Sequence, residues 1–376
     1  MAPSRLRSIQ QTIQLLAVLN GIVVATLLVS AWRLLQEPSF SRAHANTTIL
    51  LAGLLVLGAA ISYRILVQRV IHPLERLVRQ SDQIASVGDA GGQLLRLATH
   101  DSDEIASLTQ AFNGVLGRLR RTNQQLEDSI RYAALLQQSI LPDRQLRTHF
   151  GDDHLVLWLP RDTVGGDCYV CYDEGPRLLV GVADCAGHGV PGAMMTMLAR
   201  AALDRFVQQL GLHSPAAVLE AVNAGMDRVL AEAQVARALA TSMDVGLVML
   251  DRQRTVMRFA GARIGLYWSD GQHLQMIRGA SRSLWERRRS SYADHDIPMR
   301  TDVTYYLATD GFLDQAGGEH GFALGRERFG EWLLQQARKP LVEQGAGFRR
   351  RLAAYRGRYP QRDDITLLAF RLTSVL

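Results

Sequence analysis

The sequence predicts an α+β protein that begins with helical membrane segments. Three observations carry this prediction. Two long apolar segments lie in the first 70 residues, amphipathic patterns of helical spacing follow them, and short apolar runs between glycine-rich turns begin after residue 150. Helical patterns separate the later runs at about 192–210, 214–232, 326–338 and 341–356. These runs lack the regular strand–helix alternation of a Rossmann-type fold.

The two apolar segments predict transmembrane helices at about residues 13–33 and 48–67. A helix that spans a bilayer needs roughly 20 apolar residues. Arginines precede the first segment and follow the second, so both ends are expected in the cytoplasm. A cleaved signal peptide is the alternative for the first segment, but its apolar run is longer than usual and a second run follows at once. We therefore predict that residues 1–70 form a multi-pass anchor in the cytoplasmic membrane.

Residues 71–121 contain two amphipathic helical patterns joined by the glycine-rich stretch VGDAGGQ at 87–93. HPLERL directly after the membrane segment, with Pro73, and the acidic opening DSDEIASLTQAFN of the second pattern resemble a HAMP linker. An ordinary helical hairpin is the alternative. The periodicity continues over residues 122–142 and predicts a helical stalk that ends at Pro142. The resemblance implies a parallel four-helix bundle, and thus a homodimer through HAMP and stalk.

Residues 143–376 contain seven strand-like runs, namely LVLWLP, CYVCYD, RLLVGVADC, MDVGLVMLD, TVMRFAGAR, VTYYLATD and ITLLAFRL. The net charge of +6 comes with arginine clusters but with no nucleic-acid motif, so no nucleic-acid partner is expected. The three cysteines argue against a disulfide framework.

Five aspartates lie beside glycines or at the ends of these runs: Asp167, Asp184, Asp310, Asp363 and Asp364. Taken singly, each is typical of a turn. A carboxylate at the end of an apolar strand is costly to bury unless it is paired. Several such carboxylates together indicate a hard divalent cation that prefers oxygen ligands.

The motifs GGD at 165–167, DCAGHGVPG at 184–192, TDG at 309–311 and DDIT at 363–366 resemble the SpoIIE/RsbU branch of the PPM-type Ser/Thr protein phosphatases. QQSILP at 137–142 fits the entry helix of that family, and CAGHGVPG at 185–192 resembles the motif of HAMP-bearing phosphatases of the SiaA type. The resemblance covers about residues 130–376. It implies an αββα sandwich over 143–376 and a hydrolase acting on phosphoserine or phosphothreonine.

The resemblance also implies a centre of two or more Mn²⁺ or Mg²⁺ ions that activates water without a covalent enzyme intermediate. Its ligands would be Asp167, Asp184, the backbone carbonyl of Cys185, Asp310 and Asp363, with Asp363 favoured over Asp364. The family usually has glycine where this chain has Cys185, which puts the backbone geometry there in doubt.

Two further residues have open interpretations. His188 would assist the leaving group or orient water, or it is a turn histidine with a local hydrogen bond. Asp244 would hold an additional labile metal, or it is a plain surface carboxylate. The resemblance implies a STAS-type regulatory phosphoprotein as substrate and an opposing kinase. Residues 264–300, with Arg282 and Arg287–Arg289, are a candidate region for substrate choice or an ordinary solvated loop.

Three alternatives compete with this interpretation. Cys168, Cys171, Cys185 and His188 have the spacing of a zinc site, but residues three apart in a strand point to opposite faces. GGDCY resembles a signature of cyclic-dinucleotide synthesis but has cysteine in place of its acidic residue. A catalytically silent phosphatase fold acting as a membrane-tethered binding module is the alternative from another functional class.

Overall fold

The computed structural model describes residues 9–36, 42–72, 104–232, 242–253, 256–286 and 291–372. The chain divides into two compact units, Met1–Leu126 and Glu127–Leu376. Each unit is described by itself.

The first unit begins with two long helices, α1 (Ile9–Gln36) and α2 (Arg42–Leu66), and α2 continues into a π-helical turn at Val67–Ile71. Within the described ranges, only Ile49–Leu66 is long and apolar enough to cross a membrane, and Asn20–Arg33 is a shorter apolar stretch. The side chain of Asn20 donates a hydrogen bond of 3.1 Å to the hydroxyl of Ser62 and joins the two helices. The second expected span thus has the length and apolar composition of a transmembrane helix. A two-helix anchor stays a prediction.

The next helix, α3 (Glu104–Ser139), contains the second expected HAMP helix and most of the expected stalk as one element. The first expected HAMP helix and the glycine-rich break at 87–93 lie outside the described residues. Helix α3 ends at Ser139, three residues before Pro142, and Pro142 precedes helix α4 (Asp143–Phe150). The stalk over residues 122–142 stays a prediction. Leu126 and Leu136 are exposed in the single chain, as expected for residues that pack against a second helix in a dimer. The homodimer itself stays a prediction.

The rest of the second unit contains strands and helices in alternating groups. The strands are β1 (His154–Leu159), β2 (Asp167–Glu174), β3 (Arg177–Cys185), β4 (Met243–Asp251), β5 (Val256–Ala262), β6 (Leu266–Ser269), β7 (Leu274–Ile277), β8 (His295–Pro298), β9 (Thr304–Ala308), β10 (Ala316–Gly317), β11 (Phe322–Ala323) and β12 (Ile365–Phe370). The helices are α5 (Gly189–Leu210), α6 (Pro215–Glu232), α7 (Gly311–Asp314), α8 (Gly325–Gln336) and α9 (Leu341–Arg356).

Two five-stranded antiparallel sheets form the centre of this unit. One has the order β1-β12-β9-β6-β7 and the other the order β2-β3-β4-β5-β8, while β10 and β11 form a small separate hairpin. Apolar residues of both sheets, such as Val182, Val248 and Leu368, share one buried cluster between them. Helices α5 and α6 cover the outer face of the second sheet, and α8 and α9 cover that of the first. This αββα sandwich confirms the expected fold class.

Candidate metal centre

A row of carboxylates crosses three neighbouring strands of the second sheet. Asp167 on β2 lies opposite Asp184 on β3, and Asp184 lies opposite Asp244 on β4. Residues directly opposite in an antiparallel pair point to the same face of the sheet. Residues of the same parity, such as Val182 and Val248, lie in the cluster between the two sheets. The row therefore faces the space between the sheets, at one end of the sandwich.

The other sheet supplies acidic residues at the same end. Asp310 follows β9, and Asp363 with Asp364 precedes β12, the antiparallel neighbour of β9. Asp184 is hydrogen-bonded to Asp310, and the charges of Asp310 and Asp363 both act on Asp184. Folding thus brings together four carboxylates that lie far apart in the sequence: Asp167, Asp184, Asp310 and Asp363. Their role as ligands stays a prediction.

The side chain of Asp167 is completely buried, and its two oxygens have different surroundings. Oδ2 accepts hydrogen bonds from the hydroxyls of Thr309, at 2.8 Å, and Thr366, at 2.7 Å. Oδ1 is buried and has no hydrogen-bond partner. Burial raises the pKa of Asp167 to about 8, against the lowering effect of the two threonines. The threonines therefore fix the carboxyl group so that one oxygen remains available at the carboxylate row.

The neighbouring carboxyl groups are also held in a protein environment that disfavours negative charge. Burial, followed by the charges of Asp167 and Asp310, raises the pKa of Asp184 well above its ordinary value. Burial likewise raises the pKa of Asp310. Desolvated carboxylates that repel one another either share protons or bind a cation.

The residues present fit a hard divalent cation. All the converging side-chain donors are carboxylate oxygens, which Mn²⁺ and Mg²⁺ prefer, and the unpartnered Oδ1 of Asp167 lacks only a positive partner. Among the described residues, no three His, Cys, Asp or Glu side chains already surround a common point. Asp184 and Asp310 instead turn towards each other. Ion binding would therefore require these carboxylates to exchange their mutual hydrogen bond for the cation.

Asp364 has a different arrangement from its neighbour. Its Oδ1 accepts the backbone N–H of Arg161 and its Oδ2 accepts the backbone N–H of Gly166, both at 2.6 Å. Asp364 therefore ties the loop before β2 to the start of β12. Asp363 uses Oδ1 to accept the N–H of Asp364 at 2.8 Å and is only partly buried. The choice of Asp363 over Asp364 as the ligand stays a prediction.

The backbone before Asp167 passes very close to the turn after β3. A Cβ atom on Gly166 would lie 2.4 Å from the carbonyl oxygen of Cys185 and 2.5 Å from that of Gly187. Only glycine fits there. Cys185 itself is outside the left-handed region, and its side chain packs into the helix-side core, so a Cβ causes no strain. The cysteine is compatible with the carbonyl geometry that the family motif implies.

A buried glutamine of helix α3 supports the same loop. Gln137 Nε2 donates to the carbonyl of Gly165 at 2.6 Å, and the N–H of Gly165 donates to Gln137 Oε1 at 3.1 Å. Gln137 belongs to the QQSILP motif, but this contact was not predictable from it, because polar residues on an amphipathic helix usually face solvent.

His188 lies at the N-terminal end of α5 and interacts with Asp162, an acidic residue that the sequence analysis did not single out. The distance from His188 Nδ1 to Asp162 Oδ2 is 2.7 Å, and the histidine is 45% exposed. Asp162 lies 26 residues earlier in the sequence, so this is not a hydrogen bond local to the turn. A catalytic role for His188 stays a prediction.

Asp244 is already partnered at both oxygens. Its Oδ1 accepts a short hydrogen bond from the hydroxyl of Ser283, and its Oδ2 lies 3.3 Å from Nε of Arg263. Burial is the main effect on Asp244 and raises its pKa. A labile metal at Asp244 would have to compete with the arginine, so this role also stays a prediction.

The three cysteines do not converge on one point. Cys168 and Cys185 lie in the core against the helices, whereas Cys171 lies between the two sheets. Burial raises the pKa of Cys168 and of Cys171 to about 12, so their thiols stay protonated. This placement contradicts the zinc-site alternative.

Of the arginines in the candidate region for substrate choice, Arg282 is described in the structure, but Arg287–Arg289 lie outside the described residues.

Comparisons with known proteins identify the family to which the fold belongs. A family model described as stage II sporulation protein E (SpoIIE) matches residues 174–373, and a HAMP domain model matches residues 65–121. The SiaA-PP2C domain of Pseudomonas aeruginosa is similar at 50% identity and a TM-score of 0.63, over 67% of this chain and 98% of that domain. No curated protein sequence matches.

Two more distant solved structures are also similar. One contains the PP2C phosphatase domain and part of the regulatory domain of SpoIIE from Bacillus subtilis, at 11% identity and a TM-score of 0.47, over 58% of this chain and 63% of that one. The other is the catalytic domain of the phosphatase PstP in complex with two manganese ions. It is similar at 16% identity and a TM-score of 0.42, over 59% of this chain and 98% of that one.

Proposed function

Since the chain belongs to the SpoIIE family of PPM-type Ser/Thr phosphatases and carries a HAMP domain, we propose that it is a metal-dependent phosphoprotein phosphatase. The observation that carries this proposal is the pair of oxygens on Asp167. One is fixed by Thr309 and Thr366, and the other is buried without a partner beside Asp184.

The protein residues hold and orient the groups needed for hydrolysis. Asp167, Asp184, Asp310 and Asp363 would hold Mn²⁺ or Mg²⁺, together with the carbonyl of Cys185. When bound, such ions supply a nucleophilic water at neutral pH and offset the charge of the phosphate.

The surrounding residues keep this centre in place. The two threonines orient Asp167, and Asp364 holds the loop before β2 through two backbone N–H groups. Gly166 permits the close approach of the turn after β3. No residue of this group needs to act as a covalent nucleophile.

The finer organisation belongs to the same proposal. Residues 1–70 would anchor the chain in the cytoplasmic membrane, 71–121 would form the HAMP domain, 122–142 a stalk, and 143–376 the cytoplasmic phosphatase domain. Two chains would pair through HAMP and stalk. The substrate would be a STAS-type regulatory protein phosphorylated on serine or threonine, with a partner kinase opposing the reaction.

The proposal is tested with the full-length chain in detergent micelles. We expect hydrolysis of p-nitrophenyl phosphate and of a phosphothreonine peptide in Mn²⁺ but not in EDTA, and loss of both activities in Asp184→Ala and Asp310→Ala. The control Asp152→Ala changes an exposed aspartate outside the site. A folded chain that binds Mn²⁺ but hydrolyses neither substrate would instead support the catalytically silent binding module.

A further inference from the structure

A cleft lined by arginines lies beside the candidate metal centre. It has a volume of about 540 Å³, and its lining residues are Arg161, Asp162, Arg356, Pro360, Gln361 and Arg362. Three cationic side chains and one anionic side chain therefore share one concave surface. The cleft residues come from the loop after β1, the end of α9 and the segment before β12.

Among the described residues, none of the three arginine side chains of this cleft is paired with a carboxylate. The guanidinium of Arg161 donates to the carbonyl of Arg362 at 3.0 Å, so these two arginines are held together without a carboxylate between them. In the part of the chain that the structure describes, the side chains of Arg356 and Arg362 form neither a hydrogen bond nor a salt bridge. Asp162, the single acidic residue of the cleft, is engaged by His188 at 2.7 Å. An incoming anion would find several guanidinium donors available.

Backbone contacts connect two of the cleft residues to the acidic pair Asp363 and Asp364 at the candidate metal centre. The N–H of Arg161 donates to Asp364, and Arg362 directly precedes Asp363. Asp167, Asp184 and Asp310 do not line the cleft, so it is not the position of the carboxylate row itself. One extended residue covers about 3.3–3.6 Å, so side chains a few residues from a phosphorylated residue at the metal centre would reach the cleft.

We propose that this cleft, which contains Arg161, Arg356 and Arg362, binds carboxylate side chains close to the phosphorylated residue of the substrate. The proposal rests on the proposed phosphatase function. Guanidinium groups bind carboxylates through paired, charge-assisted hydrogen bonds. A cluster of like charges also raises the local concentration of an anionic partner. The cleft thus selects acidic segments, whereas the metal centre acts on any phosphate ester that reaches it.

The test compares two phosphothreonine peptides that differ only in their flanks, one with aspartates within three residues of the phosphothreonine and one with serines there. The full-length chain in detergent micelles is assayed for kcat/KM with each. We expect a preference for the acidic peptide that falls about tenfold in Arg356→Ser/Arg362→Ser, the loss typical of charge-assisted hydrogen bonds. Added salt should weaken the preference. Arg350→Ser, an exposed arginine on the same helix but outside the cleft, should retain it.

The possible outcomes separate this inference from the proposed function. Hydrolysis of both peptides with equal kcat/KM, or a preference that the double variant retains, would overturn the acidic-segment cleft and leave the phosphatase in place. Hydrolysis of neither peptide and none of p-nitrophenyl phosphate would overturn the phosphatase. Melting temperatures of the variants establish that a lost preference does not come from unfolding.

Discussion

The side-chain amide of Gln137 and the backbone amide of Gly165 form two hydrogen bonds, at 2.6 and 3.1 Å, between helix α3 and the loop that leads to Asp167. Both groups are buried. The position of a carboxylate in the candidate metal centre therefore depends on a helix that lies more than 25 residues earlier in the chain.

We expect Gln137→Leu to lower both stability and activity. The change leaves the buried N–H and C=O of Gly165 without partners, which costs about 2–4 kcal/mol of unfolding free energy. Displacement of the loop should lower kcat by up to about 100-fold. Thermal unfolding and p-nitrophenyl phosphate hydrolysis check this. Gln138→Leu, at the exposed neighbouring position, is the control, and equal behaviour of the two variants would contradict the prediction.

Substitutions in the acidic pair before β12, Asp363 and Asp364, should have different effects on stability and on metal binding. Asp364→Asn places an amide group where two backbone N–H groups donate, so we expect a loss of about 1–3 kcal/mol of unfolding free energy with and without metal. Asp363→Asn can still accept its single hydrogen bond, so it should weaken Mn²⁺ binding while stability in EDTA changes little. Thermal unfolding in EDTA and in Mn²⁺ distinguishes the two effects. The reverse assignment would show that Asp364 is the ligand.

The two threonines that hold Asp167 should affect the affinity for the metal. Thr309→Val and Thr366→Val each remove one hydroxyl at nearly constant volume. Thr309→Val also leaves the buried backbone N–H of Thr366 without its acceptor, so its melting temperature should fall as well. Loss of such a supporting partner typically weakens metal affinity by about 10-fold to 100-fold. The Mn²⁺ concentration for half-maximal activity measures this effect. Thr163→Val, at an exposed position of the preceding loop, should leave it unchanged, and unaltered Mn²⁺ dependence in both buried variants would refute the supporting role.

The buried carboxyl of Asp167 should make the metal-free protein sensitive to pH. Burial raises its pKa from 3.8 to about 8, so the folded chain holds this proton more tightly than the unfolded chain. Its contribution to stability is therefore present at low pH and declines as pH rises from about 4 to about 8. In EDTA, Asp167→Asn should have a flatter melting-temperature profile than the wild type over this range. An equally steep profile in the variant would mean that other groups cause the decline.

Gly166 should tolerate no larger residue. In Gly166→Ala, the added methyl group would meet the carbonyl oxygens of Cys185 and Gly187 at less than contact distance, so the turn after β3 or the loop before β2 must move. We expect loss of activity and a lower melting temperature. Gly114→Ala is the matched control, because apart from its own helix backbone no described atom lies within 4 Å of its Cβ position, and alanine favours the helix. A fully active Gly166→Ala would contradict the structure.

The long apolar runs of the phosphatase domain were predictable from sequence, and short or polar elements were not. β3 and β4 have the same limits in the sequence analysis and in the structure, because each is a nine-residue run with few polar interruptions. β6, β7 and β8 have four residues each and carry too little periodicity to be recognised. Helix α4 was missed because only Leu146 of its residues is buried.

The acidic members of the candidate site were predictable because several aspartates lie at strand ends, and their supporting residues were harder to find. Thr309 directly precedes Asp310 in TDG, and Thr366 lies two residues after Asp364 in DDIT, so strand alternation offered a signal for them. Gln137 was recognised only as part of the QQSILP motif, and Asp162 was not recognised, because their contacts depend on the loop between β1 and β2, which only the tertiary structure positions.

The cross-strand row of Asp167, Asp184 and Asp244 also bears on how the chain avoids mispairing while it folds. Neighbouring residues on these strands, such as Cys168 and Cys185, point to the opposite, helix-covered face. A slip of β2 or β3 by one residue would turn its carboxylate towards the apolar helices and bring a thiol into the row. Burial of these acidic residues destabilises the metal-free fold, but the same residues also disfavour shifted strand alignments. Ion binding and correct assembly of the sheet therefore depend on the same side chains.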